Sequence, residues 1–212
     1  MRHIAKGKAP STLVATAKAS TTNLKSVASA RVAYEQLDKG EVRTRLSEDQ
    51  GGLCAFCMGR IDPGKRDEGR PTIRIAHWKP VDADPSLALD WKNLLGSCSS
   101  PLSCDVAQGS AELTTNPTVV GHVAKLVYET FGNSIRLTSL DPNTAADIDV
   151  LGLNRGDLPA NRHAAWKAFL RLFGRANKGT YGRPAWRAFF QSQPKDPRTL
   201  PEYVGVVEAK LL

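Results

Sequence analysis

All four cysteines of this 212-residue chain fall into two clusters, and the clusters constrain the fold more than any other feature. Cys54 and Cys57 lie in GLCAFC, and Cys98 and Cys104 lie in SCSSPLSC. A Cys-x-x-Cys pair answered by a second pair is a usual layout for a tetrahedral zinc site. We therefore expect the sulfurs to meet and to clamp the two ends of the intervening segment around a structural zinc ion.

The formal net charge of +8 and the isoelectric point near 9.5 favour an anionic partner, most often a nucleic acid. The chain has no run of about 18 apolar residues, so no membrane span is expected. The N-terminal stretch MRHIAKGKAPSTLVATAKAS lacks the continuous apolar region of a secretory signal. A cytoplasmic protein keeps its cysteines reduced, which favours zinc ligation over the alternative of two disulfides.

The hydrophobic pattern predicts an α+β, mainly helical fold in three parts. Residues 1–50 are expected to form a loosely ordered basic arm, to about residue 24, followed by two helices over Val27–Gln50 that separate at Gly40. Residues 51–117 contain the cysteine knuckle and a strand over 72–78, where apolar and polar residues alternate. Residues 118–212 are expected to be a helical region packed on this core.

Two helices are predicted within residues 118–212. VVGHVAKLVYETFG, which follows Thr118, has apolar residues at helical spacing. A longer amphipathic helix is predicted over Leu158–Phe173. Its basic residues are expected to form a solvated face with the aromatic side in the core, although phosphate contact is an alternative. The basic residues of this face, with Arg155 just before the helix, are Arg155, Arg162, Lys167, Arg171 and Arg175.

His77 in IRIAHWKP and Asn93 in DWKNLLGSC lie between the cysteine clusters. This layout resembles that of HNH nucleases, whose core is the ββα-metal fold. The resemblance makes His77 the general base that takes a proton from the attacking water. It makes Asn93 the amide that orients the histidine, and it implies a catalytic Mg²⁺ or Mn²⁺ at the scissile phosphate. The four-cysteine zinc would be structural, because four thiolates leave no open coordination position.

Five blocks narrow the resemblance to the HNH family that accompanies an ATPase in Septu anti-phage defence and in related ATPase-containing retron systems. They are MRHIAKGKAP, QGGLCAFC, IRIAHWKP, DWKNLLGSC with CDVAQGS, and DVLGLNRGDLPANR. The resemblance implies DNA cleavage by an effector subunit. It also implies an ABC/SMC-like ATPase as partner and, in the retron systems, a reverse transcriptase complex.

The chain departs from the family pattern where a catalytic metal would bind. Ala76 stands where the family has an acidic residue, and Asp105 to Gly109 replace a motif of histidine, lysine and glycine. Asp105 is a candidate ligand of the catalytic metal, and Gln108 a candidate replacement for the lysine. The nearby carboxylates that remain are those of Asp82, Asp84 and Asp90.

Arg74 and Lys79, on either side of His77, are candidate nucleic-acid contacts. Two other interpretations stay open. One is a catalytically degenerate, zinc-stabilised subunit that binds nucleic acid or the ATPase. The other is an unrelated zinc-knuckle nucleic-acid binder, which predicts that no ββα unit lies around residues 72–110.

Overall fold

The computed structural model describes residues 1–20, 24–67, 70–177, 179, 182–193, 196 and 198–211, with the backbone alone at 66, 67, 70 and 71. The helices are α1 (Ser11–Ser20), α2 (Val27–Glu35), α3 (Lys39–Asp49), α4 (Cys104–Gln108), α5 (Val120–Val123), α6 (Pro142–Val150), α7 (Leu158–Ala176), α8 (Arg183–Ser192) and α9 (Val204–Leu211). The strands are β1 (Arg66–Asp67), β2 (Arg70–Pro71), β3 (Ile73–His77), β4 (Leu94–Cys98), β5 (Val127–Phe131) and β6 (Ser134–Thr138), and short 3₁₀ helices span Pro85–Leu87 and Trp91–Asn93. The fold is therefore mixed α+β and mainly helical, as predicted.

The strands form three two-stranded antiparallel sheets, β1–β2, β3–β4 and β5–β6. In the β3–β4 pair, Ile73 lies opposite Cys98 and His77 lies opposite Leu94. The helix α4 begins six residues after β4 and contacts both strands. One end of this sheet therefore carries a cysteine, and the other end carries the histidine.

A buried amide joins α3 to the cysteine knuckle and to β4. The Gln50 side chain donates from Nε2 to the carbonyl oxygens of Leu53 (2.7 Å) and Gly96 (2.8 Å), and its Oε1 accepts from the Gly96 amide at 2.7 Å. A β-carbon at Gly96 would lie 3.1 Å from this amide. Gln50 can pair with the strand because glycine leaves room for it.

Over residues 1–20 the N-terminal arm packs on the body of the protein and is more regular than the loosely ordered arm that was expected. Residues 11–20 form α1, and Ile4 and Leu13 are buried. The Lys6 ammonium donates to the Leu94 carbonyl oxygen at 2.8 Å and lies 3.4 Å from the ring centroid of Trp91. Burial lowers the pKa of Lys6 to about 7. Lys6 thus contacts the first residue of β4 and the 3₁₀ helix just before it, both far away in sequence, and these contacts fix the arm.

The two helices before the knuckle separate earlier than predicted. The first ends at Glu35 and the second begins at Lys39, whereas Gly40 lies inside α3. Asp38 explains the position of the boundary, because its carboxylate accepts from the Gly40 amide at 2.9 Å as the N-cap of α3.

The predicted helix VVGHVAKLVYETFG is wrong over its second half. Only Val120–Val123 is helical, and Val127–Phe131 is strand β5, paired with β6. Its β-branched and aromatic residues favour a strand, and the two-residue turn after it starts at Gly132, whose φ of +56° suits a tight hairpin.

Helix α7 confirms the amphipathic prediction except at one residue. Four basic side chains of the predicted face are exposed, and Phe169 is buried on the other side. Arg162 was predicted to share the solvated face, but it is fully buried. Helical periodicity alone predicts that Arg162 is exposed like its basic neighbours. In the structure its guanidinium is buried because it donates hydrogen bonds to the turn before α7. The exposed residues are Arg155, Lys167, Arg171 and Arg175.

No helix of the described segments is both long and apolar enough to cross a lipid bilayer.

Gly152 provides a direct test of packing between the turn before α7 and the cysteine loop. Its φ is +59°, and a β-carbon there would lie 2.5 Å from the Leu102 carbonyl oxygen. Gly132, with a φ of +56° and open space around it, is the matched control. We expect Gly152→Ala to lower the free energy of unfolding by about 3 kcal/mol and Gly132→Ala by about 1 kcal/mol. Urea denaturation measures both, and equal losses would contradict the packing.

Candidate metal centre and histidine cavity

The four cysteines converge although their two clusters are far apart in sequence. Their sulfur atoms all lie within 4.8 Å of one another, and the Sγ atoms of Cys57 and Cys98 are 3.8 Å apart. Cys54, Cys57 and Cys104 are buried, whereas Cys98 is half-buried. In the part of the chain that the structure describes, this is the sole group of three or more histidine, cysteine or acidic side chains arranged to share a metal ion.

The backbone of the first cluster is a tight knuckle. The Met58 amide donates to the Cys54 carbonyl oxygen at 3.1 Å, and the Cys54 amide donates to the Gly59 carbonyl oxygen at 2.9 Å. Met58 has a φ of +67°, and the Gly59 amide points at the Cys57 sulfur at 3.4 Å. A backbone N–H directed at a sulfur stabilises a thiolate. The knuckle is therefore shaped to present two sulfurs in the same direction.

The chemistry of this donor set fits zinc. Hydrogen bonds to the other three cysteines, together with burial, raise the pKa of the Cys104 thiol well above its usual value. Four thiols this close together, three of them buried, cannot all ionise without a cation among them. A zinc ion supplies that charge and prefers four thiolates in tetrahedral arrangement. The cluster can thus hold a zinc ion.

His77, the last residue of β3, is oriented by a backbone carbonyl. Its Nε2 lies 3.0 Å from the carbonyl oxygen of Ala88. A carbonyl oxygen only accepts, so Nε2 carries the proton and a neutral ring has its lone pair on Nδ1. Burial lowers the pKa of His77 below its ordinary value of 6.5. The imidazole is therefore neutral at pH 7, with Nδ1 able to take a proton.

Asn93 fixes the loop that carries Ala88, and does not contact the imidazole. Its Oδ1 accepts from the Lys79 amide at 2.7 Å, and its Nδ2 donates to the carbonyl oxygens of Lys79 (3.0 Å) and Leu87 (3.1 Å). Asn93 can therefore orient His77 indirectly, because it binds the carbonyl of Leu87 and the next carbonyl, that of Ala88, binds the imidazole.

Two further side chains hold the histidine, and neither was predicted to have this role. Tyr34 of α2 places its ring edge-on to the imidazole, with centroids 5.0 Å apart. Gln108 is buried, and its Nε2 donates to the carbonyl oxygens of His77 (3.1 Å) and Trp78 (3.0 Å). Gln108 lies in the CDVAQGS block, which was a signal for it, whereas no pattern in α2 singles out Tyr34.

His77, Tyr34 and Asp105 line a surface cavity of about 620 Å³. The Asp105 carboxylate is ion-paired with Arg74 at 2.5 Å, and Arg74 is half-exposed. Ala76 is fully buried and offers no ligand. The cavity is therefore lined by three carboxylates, those of Asp105, Glu35 and Asp82, and each already has a cationic partner.

The other residues suggested for this site have roles of their own. Lys79 pairs with Glu112 at 3.6 Å, and Asp82 pairs with Arg31 at 2.8 Å at the rim of the cavity. The remaining two carboxylates, those of Asp84 and Asp90, cap the two 3₁₀ helices. Of the predicted residues, the structure thus brings His77, Asp105 and Asp82 to one cavity.

No protein-family model matches the chain. The Septu protein PtuB of Bacillus thuringiensis is 27% identical over 124 residues, which are 56% of this chain and 43% of PtuB. This similarity supports a Septu-like relationship. The aligned region spans less than half of PtuB, so the activity and partners of the whole protein are considered below as proposals.

Removing one sulfur should disrupt the region between the clusters. We expect wild-type protein to contain one zinc ion per chain by elemental analysis, and Cys57→Ser to lose it and to expose the amides of residues 54–104 to hydrogen exchange. Leu102→Ala, at an exposed side chain between Cys98 and Cys104, is the control and should keep the metal. Unchanged protection in Cys57→Ser would contradict a metal-dependent fold.

The lowered pKa of His77 predicts a pH effect of known sign. The unfolded chain binds a proton near pH 6.5 and the folded chain binds it at lower pH, so stability is lost as the pH falls below 6.5. We expect the stability advantage of wild type over His77→Gln to shrink from pH 7.5 towards about pH 5. Urea denaturation of both proteins measures the difference in their free energies of unfolding. Protonation of the cysteines at low pH affects both proteins equally and cancels in this difference. A difference that stays constant with pH would contradict a buried, neutral ring.

Proposed function

We propose that the protein is a metal-dependent HNH endonuclease that hydrolyses phosphodiester bonds in DNA. The observation that carries the proposal is His77, whose side chain lines an accessible cavity and whose Nε2–H is fixed by the Ala88 carbonyl, so that Nδ1 is the basic atom of the neutral ring. A general base is most effective when it is unprotonated and its pKa lies near the working pH. The order of β3, β4 and α4 around the cysteines supports an HNH-type core.

Each residue has a distinct part in the proposed reaction. His77 Nδ1 takes a proton from the attacking water, and the Ala88 carbonyl stabilises the imidazolium that forms, because Nε2–H donates to it. Asn93 holds the loop of that carbonyl, and Gln108 holds the strand end. Arg74, which is half-exposed and paired with Asp105, suits a phosphate contact, because a guanidinium binds phosphate oxygens in a bidentate manner.

The catalytic metal would be held by Asp105 together with oxygens of the substrate phosphate. A magnesium ion often binds through one or two carboxylates plus phosphates and keeps several waters, so one carboxylate fits this mode. When bound, such an ion neutralises charge on the scissile phosphate and its leaving oxygen. The Asp105–Arg74 ion pair means that Arg74 must give up its partner, and it can then turn to the phosphate.

We further propose that the protein acts as the effector subunit of an anti-phage defence complex with an ABC/SMC-like ATPase. The similarity to PtuB supports this, as do the five sequence blocks. The net charge of +8 suits a DNA substrate. In the proposed complex the zinc ion on the four cysteines is structural and takes no part in the chemistry.

One observation favours a second candidate function, a zinc-stabilised subunit that binds nucleic acid or the ATPase without cleaving. Ala76 offers no ligand, and the Asp105 carboxylate is neutralised by Arg74. In this alternative the Arg74–Asp105 pair is structural, and the cavity has no affinity for a second metal.

A plasmid-cleavage assay separates the two functions. Wild type, His77→Ala and the control His163→Ala, whose side chain lies on α7 outside the cavity, are incubated with Mg²⁺, Mn²⁺ or EDTA, alone and with an ABC/SMC-like ATPase as the proposed partner. We expect metal-dependent nicking by wild type and by His163→Ala. For His77→Ala we expect a loss of about 100-fold or more, because a general base contributes on that scale.

Equal cleavage by wild type and His77→Ala would contradict His77 as the base. Zinc-loaded wild type that cuts in no mixture, yet retards DNA or binds the ATPase, would establish the second function. Asp105→Asn adds a check on the metal: in a nuclease it should raise the Mg²⁺ concentration needed for cleavage, whereas in a binding subunit it should change only stability.

A further inference from the structure

Arg162 is the largest side chain that is completely buried, and its charge lacks an obvious partner. Its Nη2 donates to the Leu153 carbonyl oxygen at 2.6 Å, and its Nη1 lies 3.3 Å from Asn154 Oδ1 and 3.5 Å from the Ile135 carbonyl oxygen. Its buried Nε has no hydrogen-bond partner. Neutral acceptors thus meet part of the guanidinium and leave its positive charge uncompensated.

No carboxylate forms an ion pair with Arg162 within the described portion of the chain. Burying an unpaired charge is among the most costly events in folding, so buried arginines are almost always matched by an anion. Burial lowers the pKa of Arg162, whereas Tyr128, Cys57, Tyr203 and Cys104 raise it when they carry negative charge. Of these groups, the cysteines would be anionic at pH 7 once zinc is bound.

The turn that binds Arg162 is also attached to the cysteine cluster. The Cys104 amide donates to the Leu151 carbonyl oxygen at 2.8 Å, two residues before the Leu153 carbonyl that accepts from Arg162. The position of a Gly152 β-carbon lies against the loop between Cys98 and Cys104. A cavity of about 370 Å³ is lined by residues from both parts, including Cys57, Cys98, Leu158 and Asn161. The start of α7 and two of the four cysteines therefore line the same cavity.

We propose that Arg162 is the counter-ion of a zinc–tetrathiolate cluster, so that zinc binding and the burial of this guanidinium stabilise each other. Zinc with four cysteine thiolates is a dianion, and a buried dianion needs positive charge nearby. The inference rests on the proposed zinc site. It gives the DVLGLNRGDLPANR block a role, since this block supplies both the turn and the arginine. It also makes zinc a link between α7 and the core.

The test compares zinc retention in full-length variants at position 162. Arg162→Met removes the charge and keeps much of the volume, Arg162→Lys keeps the charge, and Arg171→Met removes an exposed charge from the same helix as control. Competition with a chromogenic zinc chelator gives the affinity, and far-ultraviolet circular dichroism reports folding separately. We expect Arg162→Met to lose affinity about 10- to 100-fold, the range for residues behind the metal ligands, with most of it kept in Arg162→Lys. Arg171→Met should match wild type.

Zinc affinity in Arg162→Met equal to that of wild type would overturn the proposal, even if the variant is less stable. If Arg162→Met does not fold, the comparison of Arg162→Lys with Arg162→Gln decides: zinc retained by lysine alone supports the charge, whereas equal loss in both assigns the position to packing and overturns it. Wild-type protein without zinc would refute the zinc site itself, which is a different result from a zinc-loaded wild type with unaffected variants.

Discussion

Four sulfur atoms within 4.8 Å of one another are the constraint on which the other parts of the site depend. Four thiols in contact are only partly ionised, whereas four thiolates around zinc form a single charged unit. Because β4 ends at Cys98 and α4 begins at Cys104, a metal there sets the position of both elements relative to the knuckle. His77 lies at the far end of the same strand pair, opposite Leu94. A structural ion can thus determine the geometry of a residue that it does not touch.

The histidine is held almost entirely through backbone carbonyls. Ala88 fixes the tautomer, Asn93 fixes the loop of Ala88, and Gln108 fixes the carbonyl of His77 itself. Burial lowers the pKa of the imidazole and leaves the ring neutral, although the Asp105 carboxylate acts in the opposite direction. Asp105 is one of three carboxylates that line the cavity of His77, and each of the three has a cationic partner. In the proposed nuclease, activity would depend on how the Asp105 carboxylate is shared between Arg74 and a metal ion.

Local patterns predicted the parts of the fold whose information is local. The two cysteine pairs, the alternation in β3 and the apolar stripe of α7 were sufficient for the knuckle, the strand and the helix. The errors arose where contacts between residues far apart in sequence determine the local structure or the burial of a side chain. Lys6 and Trp91 order the arm, Gly132 turns an apparent helix into a hairpin, and Arg162 leaves a solvated face for the interior. The His77 contacts with Ala88 and Tyr34 were beyond reach for the same reason, because neither partner has a distinctive motif.

X-ray absorption at the zinc edge, on protein purified without added metal, tests the central claim most directly. The account predicts one zinc ion per chain with four sulfur neighbours at about 2.3 Å and no nitrogen or oxygen neighbour. A first shell that contains nitrogen or oxygen, or protein that folds without zinc and with its cysteines paired as disulfides, would contradict it. In that case the position of His77 would need an explanation that does not involve a metal.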